Sequence, residues 1–193
     1  MRQGFTLVET LIVIAITISI TSIFLIYNRS TEQQVILFRD QAVIVGIINR
    51  AKALAIERFN SDPRVCAFGV YFQSNSRDFF LFQDLQPVGG EALFGCRQTD
   101  GSPNSSLIYE SDEKLERFSL DSRMNLTLTD KNNDNLNDLS LVFIPPEISV
   151  RASGSALPLP SALPLPVTIT IRVVNGAQSA SVTVGEAGQI VIN

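Results

Sequence analysis

The 193-residue chain contains no histidine. That absence removes Ser-His-Asp and Cys-His catalysis, histidine-ligated zinc and the usual proton shuttle near neutral pH. Basic runs are missing as well: Lys and Arg are scattered after Arg2, and the net charge is −4. A nucleic-acid partner held by phosphate neutralisation would therefore find no electrostatic footprint. Cysteine is limited to two positions, and proline does not occur before Pro63. No set of catalytic groups stands out, so the composition argues against an enzyme. Hydrophobic residues make up 45% of the chain, enough to fill the core of one modest domain with appendages.

The most telling absence is local. From Thr10 to Tyr27 there is no charged residue. A helix from Phe5 to Tyr27 would be roughly 34 Å long, enough to cross the hydrocarbon layer. The segment that follows, "FLIYNRSTEQQ", has no A-x-A pattern, so a cleaved secretory signal is disfavoured. One Arg flanks each end of the span, and the short amino-terminal stub is the easier end to leave in the cytoplasm. Residues 29–193 are then expected outside. Glu9 lies within this otherwise uncharged stretch. A carboxylate at membrane depth costs roughly 2.5–3.5 kcal/mol unless it snorkels, neutralises or pairs. Two readings follow: Glu9 reaches the headgroups and favours the positive helix end, or it awaits a cation supplied by another chain.

Gly4-Phe5-Thr6-Leu7-Val8-Glu9 followed by an uncharged helix resembles the class III leader of type IV pilins and pseudopilins. The resemblance covers about the first thirty residues. It implies that residues 1–4 are a leader removed by a prepilin peptidase between Gly4 and Phe5, and that Phe5 is then N-methylated. It also implies that residues 5–27 are the transmembrane helix, and that Glu9 meets the amino terminus of a neighbouring subunit during assembly. The implied partners are other pilin or pseudopilin subunits, prepilin peptidase and N-methyltransferase, an inner-membrane assembly platform and membrane lipid. In one respect this chain departs from the family: many relatives carry a proline in the second half of the membrane helix, and here none is available to assist unwinding.

Beyond Arg29 the pattern changes. Val35, Phe38, Ala42, Val45 and Ile48 recur at spacings of three and four, which predicts an amphipathic helix over 28–60 continuing the first. The stripe is expected to face the core of the chain's own domain, with a separate partner groove as the alternative. Ser61-Asp62-Pro63 should end the helix. Residues 61–193 read as a β-rich extracytoplasmic domain. "RVCAFGVYF" and "DFFLFQDL" flank a polar turn from Gln73 to Arg77 and predict a hairpin. Further strands are predicted at Ser106–Tyr109, Met124–Thr129, Leu139–Ile144, Val167–Val174, Ala180–Val184 and Gln189–Ile192. Alternation in "TITIRVV" and "SASVTV" suits strands with one wet face. The predicted class is α+β, a long amino-terminal helix packed on an antiparallel sheet or β-sandwich. The arrangement is similar to minor pseudopilins of the GspH and FimT type.

Three smaller features remain. Cys66 and Cys96 would both lie outside the membrane, where a disulfide persists. A bond between them would stabilise by roughly 3–4 kcal/mol in the chain-entropy model; two buried thiols that never meet are the alternative. In "DKNNDNLNDL", Asp130, Asn132, Asp134 and Asp138 fall at positions 1, 3, 5 and 9 of a calcium loop, with the Leu136 carbonyl at position 7. Asn135 replaces the glycine of position 6 and Leu141 the glutamate of position 12. An EF-hand is thus excluded, leaving a truncated Ca²⁺ loop or a solvated hairpin tip. "ALPLPSALPLP", residues 156–166, carries four prolines and predicts a polyproline-like excursion, either a surface loop or a docking segment displaying its leucines.

The functional expectation is a structural subunit, a minor one, of a type II secretion pseudopilus or related type IV filament. Two alternatives stand beside it: a minor type IV pilin for adhesion or DNA uptake, and a signal-anchored extracytoplasmic binding module. The DNA-binding variant is weakened by "GEAGQIVIN", which offers no Lys or Arg near the exposed end.

Overall fold

A computed structural model describes residues 6–57, 65–85, 109, 113–144, 149–153, 163–174 and 176–193, the side chains of 25–30 and 149 excepted. Among them one long helix, α1 (Leu7–Glu57), precedes ten strands in two antiparallel sheets, an α+β arrangement. The chain divides into two compact units, residues 1–36 and 37–193.

In the second unit, the first sheet comprises β1 (Val65–Gln73), β2 (Asp78–Leu85), β3 (Lys114–Ser119), β6 (Asp138–Ile144) and β7 (Ser149–Ser153), in the order β3-β2-β1-β6-β7. The predicted hairpin is β1 and β2, paired Phe72↔Phe79 and Val70↔Leu81. Its turn places Asn75 at φ 59°, a left-handed conformation that Asn tolerates. Phe68, Val70, Phe72, Phe79, Leu81, Leu139, Leu141 and Phe143 are all buried on one face. The opposite face carries a smaller buried cluster of Ala67, Phe82 and Val142, against which Tyr71 and Tyr109 pack. This sheet is apolar on both sides, which is why "VCAFGVYF" reads as an almost unbroken apolar run.

The second sheet comprises β4 (Met124–Thr129), β5 (Asn135–Leu136), β8 (Val167–Val173), β9 (Ser179–Val184) and β10 (Ile190–Ile192), in the order β10-β9-β8-β4-β5. Strict alternation divides it: Met124, Leu126, Leu128, Val167, Ile169, Ile171, Val182 and Val184 are buried, while the intervening Thr, Ser, Asn and Arg form a wet face. Backbone bonds from Asn75 N–H to the Leu126 carbonyl (2.8 Å) and from Leu126 N–H to the Ser76 carbonyl (3.3 Å) tie the β1–β2 turn to β4.

Residues 37–57 of α1 contribute Leu37, Ile44, Ile47, Ile48, Ala51 and Ala55 to the core. Two polar side chains on that face are buried with partners. Gln41 Nε2 donates to the Ser181 carbonyl (2.9 Å) and, at 3.4 Å, to that of Asn193, and Asp40 Oδ2 accepts from Asp121 N–H (2.8 Å). The amphipathic stripe expected to face the core is therefore corrected. Val35, Phe38 and Ala42 are exposed and Val45 is half-buried; of the five only Ile48 is buried. The helix carries apolar residues on two faces, and on the one that turns inward Asp40 and Gln41 are hydrogen-bonded.

Three strands have no counterpart in the sequence-based expectation: β3, β5 and β7. All three lie at sheet edges. Ser106–Ile108 of the predicted strand 106–109 falls outside the described residues, as do 58–64, where the helix is expected to end; Tyr109 is in no strand. Within 156–166 only 163–166 are described. There Leu163 and Leu165 are buried, and Leu163 N–H bonds the Ala152 carbonyl at 2.7 Å. These two leucines serve the domain's own core and are not displayed for a partner.

Candidate functional site

The amino end of α1 is built on the pattern Thr-x-x-Glu. Glu9 Oε2 accepts hydrogen bonds from Thr6 N–H (3.2 Å) and Thr6 Oγ1 (3.1 Å), and Thr6 Oγ1 accepts from Glu9 N–H (3.3 Å). This is a capping box: Thr6 precedes the first turn, and each side chain satisfies an amide that the helix leaves without a partner. The carboxylate also lies where the helix dipole is positive. Among the described residues Glu9 enters no ion pair. Gly4 and Phe5, the expected processing positions, lie outside the described residues. Thr6 is not among the site residues inferred from the sequence, although the capping signature is there to be read in "TLVE".

From Leu7 to Phe24 an eighteen-residue segment is long and apolar enough to cross a membrane, and none of it is buried within the chain. Its polar side chains are satisfied internally. Ser19, Thr21 and Ser22 donate to the carbonyls of Ala15, Thr17 and Ile18 at 2.9, 2.7 and 2.8 Å, and Thr10 and Thr17 bond the carbonyls of Leu7 and Val13. In a hydrocarbon setting such back-bonding leaves no hydroxyl unpaired. Glu9 is the one ionisable group in this span.

The expected calcium ligands fall on different elements. Asp130, Asn132 and Asp134 occupy the β4–β5 tip. Asp130 Oδ1 accepts from the N–H groups of Asn132 and Asp134, both at 2.8 Å, and Asn133 takes φ 65°. This is an Asx-type turn in which the carboxylate stands in for a backbone acceptor. Asp138 is buried at the start of β6, opposite Gln73. No convergence of three or more His, Cys, Asp or Glu side chains occurs among the described residues. Cys66 is buried in β1 and disulfide-bonded; Cys96 lies outside the described residues.

Tyr71, Phe80 and Tyr109 stack on the outer side of the first sheet, with ring centroids 4.6 Å apart for Tyr71 and Tyr109. Lys114 Nζ sits 4.2 Å from the Phe80 ring centroid. Burial, followed by the charge of Asp138, raises the Tyr71 phenol above its ordinary value. Burial, followed by Glu113, does the same for Tyr109. Both phenols are neutral at physiological pH, so the rings of this cluster contribute packing and the one cation over them is Lys114. Comparison of the chain with protein-family models, with curated proteins and with solved structures gave no match in any of the three.

Proposed function

We propose that this chain is a structural subunit, a minor one, of a type II secretion pseudopilus or related type IV filament. Prepilin peptidase cuts between Gly4 and Phe5, Phe5 is N-methylated, and the subunit waits in the inner membrane with its carboxy-terminal domain on the far side. It then joins a filament through α1. The single observation that carries this reading is the setting of Glu9: one carboxylate in an exposed, otherwise uncharged apolar helix, with hydrogen bonds from Thr6 and no counter-ion among the described residues. The free amine of a neighbour's Phe5 would lie at the same membrane depth and neutralise it where the dielectric is low. A second support comes from residues 37–57, where Phe38, Ala42, Gly46, Ala53 and Ile56 form an exposed apolar stripe on the helix, interrupted by Asn49. Such a stripe is the surface that a neighbouring helix covers when subunits stack. A helix-on-sandwich domain of the minor pseudopilin kind belongs to the same reading.

Two measurements test it. Mass spectrometry of the mature amino terminus should show loss of Met1–Gly4 and one added methyl group on Phe5; an intact leader overturns the proposal. In E9Q the side-chain amide oxygen can still cap Thr6, because glutamine serves the capping box as glutamate does, while the charge is gone. Membrane insertion should be unchanged and cross-linked oligomers should fall by about tenfold, the equivalent of 1.4 kcal/mol per contact. Wild-type oligomer yield in E9Q would refute the assembly role.

A further inference from the structure

The wet face of the second sheet is an ordered array. Pairing across β4, β8 and β9 places Asn125, Arg172 and Ser179 in one row, Thr127, Thr170 and Ser181 in the next, and Thr129, Thr168 and Thr183 in a third. Every position carries a hydrogen-bonding side chain, and Thr168 Oγ1 and Thr183 Oγ1 lie 3.1 Å apart. Arg172 is the only charged residue in the nine. At that end a groove of about 550 Å³ opens between the β1–β2 turn, β4, β8 and the β8–β9 turn, lined among others by Asn75, Asn125, Thr127 and Arg172. The Arg172 side chain is exposed and forms no ion pair or hydrogen bond among the described residues.

The chemistry of the lining narrows the ligand. A guanidinium offers two parallel donors to a carboxylate, and the two amides and the hydroxyl beside it each donate and accept. A polyphosphate or nucleic-acid strand is held by several cations, and this groove has one. An acidic peptide gains affinity by adding a strand to a free edge, but β4 and β8 are both interior, β8 lying between β9 and β4, and β4 between β8 and β5. A neutral sugar has no aromatic ring in the lining on which to stack. A uronic acid combines what remains: one carboxylate flanked by hydroxyls, on a chain that can run along the rows of Thr and Ser.

We infer that this groove binds a segment of uronic-acid-bearing polysaccharide, with the carboxylate on Arg172 and the adjacent hydroxyls on Asn75, Asn125 and Thr127. The site stands on the second sheet and the β1–β2 turn beside it and does not depend on the reading of the amino-terminal helix, so either can fail without the other.

The test uses the full chain in detergent micelles with EDTA present, titrated with hexagalacturonate by isothermal calorimetry. Maltohexaose and hexaglutamate serve as the neutral-sugar and acidic-peptide probes. Saturable binding of hexagalacturonate in the high-micromolar to millimolar range is expected, with maltohexaose and hexaglutamate at least about tenfold weaker. R172Q, an exposed substitution, should keep the wild-type melting transition and lose about tenfold in affinity. N125A, in the same row, should lose severalfold. R151Q, on β7 of the other sheet, removes an equal charge and should bind as the wild type does. Absence of saturable binding, equal weakening in R151Q, unchanged binding in R172Q, or hexaglutamate binding as tightly as hexagalacturonate would each overturn the assignment.

Discussion

Glu9 has two physical roles that separate by substitution. As a capping partner it satisfies Thr6 N–H and Oγ1, and as an anion it is the only charge in the span. Thr6→Ala removes the cap and keeps the charge; helix capping of this type contributes about 0.5–2 kcal/mol. The variant should show a frayed first turn by amide exchange in micelles, whereas E9Q should not. Elsewhere, Gly69 in β1 sits where a Cβ would come within 2.6 Å of the Phe82 ring and 2.7 Å of the Leu141 carbonyl oxygen. The backbone oxygen is fixed by sheet pairing and cannot give way. Gly69→Ala should therefore cost about 1–3 kcal/mol by thermal or urea denaturation, the range for overpacking. Charged pairs at the surface act through pH. A hydrogen bond from Arg117 holds the Asp78 carboxyl below its ordinary range, and one from Arg123 does the same for Asp121. A lowered folded-state value means the stabilisation is complete at neutral pH and is lost as pH falls below about 4. Urea midpoints should decline through that acid range, and the double variant D78N/D121N should show a flatter decline.

Among the elements, α1 poses the sharpest contrast. Ile48 is fully buried, whereas Phe38 is 61% and Ile56 59% exposed, on the same helix. Ile48→Ala should lower stability by about 2–5 kcal/mol. Phe38→Ser and Ile56→Ser should change it by no more than about 0.5 kcal/mol. If the exposed stripe is an assembly surface, those two serine variants should nonetheless reduce cross-linked oligomers in cells; oligomers at wild-type level would remove the stripe from the interface. The strands show a related division. Alternation in β8 and β9 and the aromatic runs of β1 and β2 are legible because each residue's neighbours on both sides demand a fixed face. "KLERFS", "NL" and "SVRAS" are not. As edge strands β3, β5 and β7 are paired on one side only, and charge or brevity at an edge is tolerated, even protective, so the apolar signal fades.

Across the whole molecule, the buried core lies in residues 37–193 and the membrane-length segment in 1–36, which contributes no buried residue among those described. Removing residues 1–30 should leave a water-soluble chain with a single cooperative melting transition at the full-length midpoint, measured by circular dichroism. A midpoint lowered by more than about 4–8 °C, the equivalent of 1 kcal/mol in a small domain, would mean that the first unit stabilises the second.

Local chemistry is enough to establish an uncharged run long enough to span lipid, a Thr-x-x-Glu start, period-two strands and an Asn/Asp tip. Each depends on residues close together in the chain. Which helix face is buried is a different matter, because it depends on the fold around it. Positions 37, 44, 48, 51 and 55 and positions 35, 38, 42, 53 and 56 both satisfy a helical repeat, and each face carries polar interruptions: Asp40 and Gln41 on the first, Asn49 on the second. The first can be buried because its polar groups find distant partners that replace water, Gln41 at Ser181 and Asn193 and Asp40 at Asp121. Those partners lie 81–152 residues away in sequence, where no local pattern can reach.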